Sequence, residues 1–107
     1  QALGALGTGA AGQVLDIERM LQDPVPDIRA AAAYALGRIG ASAEVALDSL
    51  TATAADADPE VRESSIRALS ALRVPASATV FALGLEDEEW KPRRAAAEGL
   101  AALGPAA

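Results

Sequence analysis

Cysteine and histidine are both absent from the 107 residues, and the aromatic residues are one Trp, one Tyr and one Phe. Without cysteine there are no disulfides and no thiolate metal sites. Without histidine the commonest transition-metal ligand and general base is missing. Basic excess is lacking too. A net charge of −6 argues against duplex DNA, RNA or an anionic membrane surface as the partner. No apolar run approaches the ~20 residues of a membrane span. No signal peptide is visible, so a cytoplasmic location is expected for a chain that opens with Gln1 rather than Met. What remains is an apolar half supplied by Ala, Leu and Val. Alanine buries little area but forms helices well and lets backbones approach closely, which predicts a thin core anchored by leucines worth roughly 1.5–3 kcal/mol each.

The chain repeats itself. Leu3, Leu36, Leu69 and Leu100 lie 33, 33 and 31 residues apart, and Leu6, Ile39, Leu72 and Leu103 keep the same spacing. Asp23, Asp56 and Asp87 form a second series and Arg29, Arg62 and Arg93 a third. A period in the low thirties is the mark of stacked helical units, each burying its apolar side on its neighbours.

The unit from Asp23 to Ala55 reads most clearly. Pro26 suits a first helical turn, where its missing N–H needs no partner, and Asp27 favours the positive end of the helix dipole. Ile28, Ala32, Ala35, Leu36 and Ile39 recur at helical spacing, and Gly40 ends the helix. Leu47, Leu50 and Ala54 form a second stripe. In the next unit Asp58 and Pro59 open the first helix, and Val61, Ser65, Ala68, Leu69 and Leu72 take the stripe positions. Val80 and Leu83 are matched to Leu47 and Leu50, with two residues missing after them. The last helix, near Glu88 to Leu103, carries Pro92 in its first turn. The expected fold is an all-α, right-handed α-α superhelix of about three helical hairpins: a tail over 1–22, units over 23–55 and 56–85, and a final unpaired helix over 86–104. Both ends stop in mid-repeat, which reads as a section of a longer solenoid or a module that stacks on another chain.

The stretches DPVPDIRAAAAYALGRIG (23–40), ADPEVRESSIRALSAL (57–72) and EDEEWKPRRAAAEGLAALG (86–104) resemble HEAT repeats, in particular the short HEAT-like repeats of phycobilisome lyases. The resemblance spans nearly the whole chain. It implies a protein-binding scaffold, with an accessory subunit of an enzyme such as a chromophore lyase as the alternative. It also implies that second helices, over 13–22, 43–55 and 76–85, line the concave face. Hydroxylase relatives use His–Glu pairs and DNA-repair relatives a basic concave face; this chain has no histidine and is acidic.

Other constellations have plainer readings. Gly7, Gly9 and Gly12 spell G-x-G-x-x-G, yet no β-strand precedes them, so they are read as an inter-helix turn before a helix at Gln13. Asp56, Asp58 and Glu60 lack the further oxygens and the glycine turn of a calcium loop. No serine or threonine has a histidine base, and no carboxylate pair stands out. No catalytic residue, metal or cofactor is expected. The Asp and Arg series are read as ties between units. The partner is expected to be another protein, contacted through Asp16, Arg19, Met20, Asp48, Ser49, Thr53 and Phe81 on the second helices and through Trp90 at a first-helix start. Phe81 is matched to Asp48, hence solvent-facing. End-to-end self-association is a further expectation, because Leu100 and Leu103 lack a covering helix.

Overall fold

The computed structural model describes residues 9–104. Six α-helices follow one another there: α1 Gly9–Met20, α2 Pro26–Ile39, α3 Leu47–Thr53, α4 Pro59–Leu72, α5 Ala78–Gly84 and α6 Trp90–Leu103. Segments of 3-10 helix, Gly40–Ala46 and Pro75–Ser77, lead into α3 and α5, and there is no strand among the described residues. Leu3, Leu6 and Gly7 lie outside the described residues. Gly9 and Gly12, expected in a turn, are instead part of α1, which begins at Gly9 rather than Gln13. The two alanines between them favour helix strongly enough to carry it through.

Local chemistry sets the helix ends. Pro26 and Pro59 start α2 and α4, and the Asp58 carboxylate accepts from the N–H groups of Glu60 and Val61 as an N-cap. Gly40, Arg73 and Gly104 follow the three long helices, all with positive φ; Arg73 is in the left-handed helical conformation, whereas the two glycines pair positive φ with an extended ψ, a region open to glycine.

The long helices α2, α4 and α6 pack side by side, and each short helix packs chiefly on the long helix that follows it. The molecule spans 46 × 30 × 16 Å. Its shortest dimension fits two helix layers about 8–10 Å apart, so this is a helical solenoid. Leu36 and Leu69 are both fully buried in one continuous core with Leu50, Ile66 and Phe81. Half of that core is alanine, as the composition implies. Close approach is visible at Gly37, where an added Cβ would fall 3.0 Å from the Ala68 Cα. Burial fades at the ends of the stack: Ile28 is exposed where Val61 is buried, and Leu100 is only half-buried.

One expected alignment is overturned. Leu50 and Phe81 are both fully buried, whereas Leu83, expected beneath the surface, is 70% exposed. Phe81 therefore corresponds to Leu50, not to Asp48. The missing two residues fall in the turn between first and second helix, where Gly40–Ala46 is replaced by the shorter Pro75–Ser77. The link from second helix back to the Asp series keeps its length: Asp23, Asp56 and Asp87 each donate a backbone N–H to the carbonyl three residues earlier, at Met20, Thr53 and Gly84.

Candidate functional site

Charged ties hold the layers in place. The Arg29 guanidinium donates Nε and Nη2 to the two Asp56 carboxylate oxygens at 2.9 and 3.1 Å, and Nη1 to the carbonyls of Asp23 and Pro24. Arg62 repeats this on Asp87 at 2.7 and 3.0 Å, with Nη1 on the carbonyls of Asp56 and Ala57. Each Asp also accepts a backbone N–H from two residues on, at Val25, Asp58 and Glu89. The side chains of the two pairs are only 11–18% exposed. They are thus more shielded than surface ion pairs and geometrically fixed by the two-pronged bond. Burial alone pushes the Asp56 carboxyl up, but the Arg29 bond, the Asp58 N–H and the charges of Arg29 and Arg62 together hold it below the usual range. Asp87 is lowered by the Arg62 bond against a smaller burial cost.

With the layers fixed, successive second helices present matching rows. Leu15 and Arg19 on α1, Asp48 and Ala52 on α3, and Thr79 and Leu83 on α5 are each four residues apart, so each pair shares a helix face. All six are exposed. Val45, in the 3-10 segment before α3, is 64% exposed. Between α3 and α5 runs an open groove floored by Ile66, Val80 and Gly84 and rimmed by Thr51 and Leu83, with the Arg62–Asp87 tie at one end. Leu15, Val45 and Leu83 belong to this face although sequence reasoning did not select them. Once Leu50 is matched to Phe81, the rows Leu15, Asp48, Thr79 and Arg19, Ala52, Leu83 follow from counting alone.

The selected residues divide. Asp16 and Arg19 form an ion pair at 3.4 Å on α1, beside the exposed Met20. Asp48 is exposed on α3, and the half-buried Ser49 donates to a Glu18 carboxylate oxygen at 2.6 Å, linking α3 to α1. These five lie on the second-helix side. Thr53 and Phe81 do not belong to the surface. Thr53 is 7% exposed and its hydroxyl sits 2.6 Å from the fully buried Ser65 hydroxyl, bonding also to the Ser49 and Leu50 carbonyls. Phe81 is 0% exposed, its ring resting on Gly99 of α6, where an added Cβ would lie 2.8 Å from the ring. Both are core residues, because the helix phase turns them toward the following long helix. Trp90 is exposed as expected, but it stands at the start of α6, with Lys91 5.8 Å from its ring and Pro59 and Glu60 alongside.

Among the described residues, no cluster of acidic groups is arranged to hold a metal ion, and no helix is long and apolar enough to cross a membrane. A family model described as HEAT repeats matches residues 1–70 and, in an overlapping placement, residues 17–101. No curated protein matches the chain.

Proposed function

The chain belongs to the HEAT-repeat family, and from that premise we propose that it is a non-catalytic protein-interaction scaffold whose second helices form the contact face. The observation that carries this reading is the run of exposed aliphatic side chains on successive second-helix segments, Leu15, Val45 and Leu83, set among Arg19 and Asp48. Aliphatic surface of this kind has no stabilising role in the free chain and gains by being covered. Closely tied layers keep the face in one shape, which limits the ordering cost of association. The matching occupant is a protein segment that offers apolar side chains to these three residues and opposite charges to Arg19 and Asp48. Without histidine, cysteine or an acidic cluster among the described residues, the face offers contacts rather than chemistry.

The test compares partner capture by the wild type, Leu83→Glu, Val45→Glu and Trp90→Ala. Both Glu variants should melt like the wild type and lose the captured protein, while Trp90→Ala should keep it. Capture unaffected by either Glu variant would refute the assignment of this face. An accessory role beside a chromophore lyase, which the lyase-type sequence resemblance suggests, instead predicts co-purification with a pigment or a catalytic subunit.

A further inference from the structure

The outward face of the long helices carries a groove of its own, between α2 and α4. Both walls lie inside the stack, with α1 packed against α2 and α6 against α4. The floor is Gly37 and Ala68, which approach closely and carry one methyl group between them. Tyr34 and Arg38 rise on the α2 side, and Ser64 and Arg67 on the α4 side, around a volume of about 180 Å³. Tyr34 is 60% exposed.

The charged groups of this groove are donors short of an acceptor. Arg38 lies 5.9 Å from the Tyr34 ring and gives Nη1 to the Tyr34 hydroxyl at 3.2 Å, but no carboxylate among the described residues pairs with it. Arg67 donates Nε to Glu63 at 3.1 Å and Nη1 to Glu98 at 2.7 Å, which leaves its Nη2 without a bond among the described residues. The neighbouring acids are taken: Glu63 and Glu98 by Arg67 and Arg94, and Asp16, on the other flank of Arg38, by Arg19. The next layer shows what is missing. Tyr34, Arg67 and Glu98 are equivalent positions, 33 and 31 residues apart. Where α4 meets α6 they hold Arg67 and Glu98, and a carboxylate bridges the helices. Where α2 meets α4 they hold Tyr34 and Arg67, and the bridging carboxylate is lacking.

We propose that this groove docks an acidic segment of another protein, whose Asp or Glu side chain supplies that carboxylate. The Arg38 guanidinium takes it in a charge-assisted bond, with the spare N–H groups of Arg67 on the facing wall. An apolar side chain next to it in the segment lies over Gly37 and Ala68 against the Tyr34 ring. The choice of an acidic partner rests on charge complementarity: in a chain of net charge −6 this groove holds an arginine that its own acids leave unmatched. Tyr and Arg are also the residue types that most often anchor protein contacts. None of the groove residues lies on a second helix, so this contact is independent of the second-helix face proposed above.

The experiment is a titration of the 107-residue chain followed by amide NMR shifts at low ionic strength. The probe is a blocked pentapeptide with a central glutamate between leucines, compared with the same peptide carrying glutamine or lysine at the centre. The glutamate peptide should shift the amides of Gly37, Ser64 and Ala68 in a saturable way. It should bind about threefold to tenfold more tightly than the glutamine peptide, a margin that shrinks at high salt. The lysine peptide should bind most weakly. Arg38→Gln should erase the preference for glutamate. Ala71→Glu, at an exposed position lining the groove, places a carboxylate of the chain itself there and should block the probe. The amide spectrum of each variant reports that it is folded. No saturable shift at the groove, equal binding of the three peptides, a preference that survives Arg38→Gln, undiminished binding by a folded Ala71→Glu, or shifts confined to Leu15, Val45 and Leu83 would each overturn the proposal.

Discussion

Gly99→Ala probes the layer built around Phe81. An ideal Cβ on Gly99 falls 2.8 Å from Phe81 Cζ and 2.9 Å from Cε1 and Cε2. Carbon atoms prefer about 3.5–4.0 Å, so the ring or the helix must give way. Phe81 is fully buried and has nowhere easy to go. Overpacking of this kind costs typically ~1–3 kcal/mol, offset by the ~0.8–1 kcal/mol that alanine gains over glycine inside a helix. The variant should then be destabilised by roughly 0–2 kcal/mol, up to several degrees in Tm for a domain of this size. Phe81→Leu alone leaves a cavity and should cost about 1–2 kcal/mol, less than truncation to Ala. Together the two substitutions reproduce the layer one unit earlier, where the same positions are held by Leu50 and Ala68, both buried. The double variant should therefore be more stable than the sum of its parts predicts, with a coupling of about 1–3 kcal/mol. Urea denaturation of the four proteins, followed by circular dichroism, measures it. Additivity to within about 0.5 kcal/mol would refute both the register of α5 on α6 and the size exchange argued from it.

The hydroxyl pair gives a parallel test: Thr53→Val should cost about 1–3 kcal/mol by leaving the buried Ser65 hydroxyl without its partner, and adding Ser65→Ala should recover much of that. A double variant no more stable than Thr53→Val alone would argue against the bond. The ties between layers predict an acid limb. Asp56 and Asp87 are held below their ordinary value of 3.8, so their contribution is complete above that pH and is lost as pH falls through the lower folded value. The double variant Asp56→Asn, Asp87→Asn should melt lower at neutral pH and show a shallower further loss in acid. An unchanged acid slope would place the sensitivity elsewhere. Finally, Leu69→Ala, in the central layer, should cost roughly 2–5 kcal/mol, and a melting curve indistinguishable from the wild type would remove Leu69 as an anchor.

The stack itself was legible because its anchors recur at the period of the unit: Leu36 and Leu69 are buried together, and the Arg and Asp series do tie successive layers. How far the ties are shielded is not legible in the sequence, since neighbouring backbone covers them in a way that residue spacing does not reveal. The exposed side of the second helices was read less well. Spacing between first helices reports that two residues are missing from the second unit, but not from which connection. Placing the gap after Leu83 turns α5 by two residues, about 200° of helix, and so brings Phe81 to the surface and Leu83 inward. Thr53 failed for a different reason. A hydroxyl looks solvent-facing in a sequence, and only the partner Ser65, twelve residues away on α4, lets it be buried.

The position of the gap follows from the ties. Asp56 must reach Arg29 while its backbone closes the turn off Thr53, and Asp87 must do the same with Arg62 and Gly84. Those paired demands leave no slack in the stretch between second helix and Asp, so a shorter unit loses residues from the opposite turn, where no cross-layer ion pair sets the length. The same constraint keeps Ile17, Leu50 and Phe81 in one phase and Arg19, Ala52 and Leu83 in another. Surface residues on the second helices can therefore vary freely in chemistry while their positions stay fixed by partly buried ion pairs on the other side of the turn. On the scaffold reading proposed above, specificity would be carried by residues that do no folding work, and Leu83, exposed beside the Arg62–Asp87 tie, is the clearest candidate.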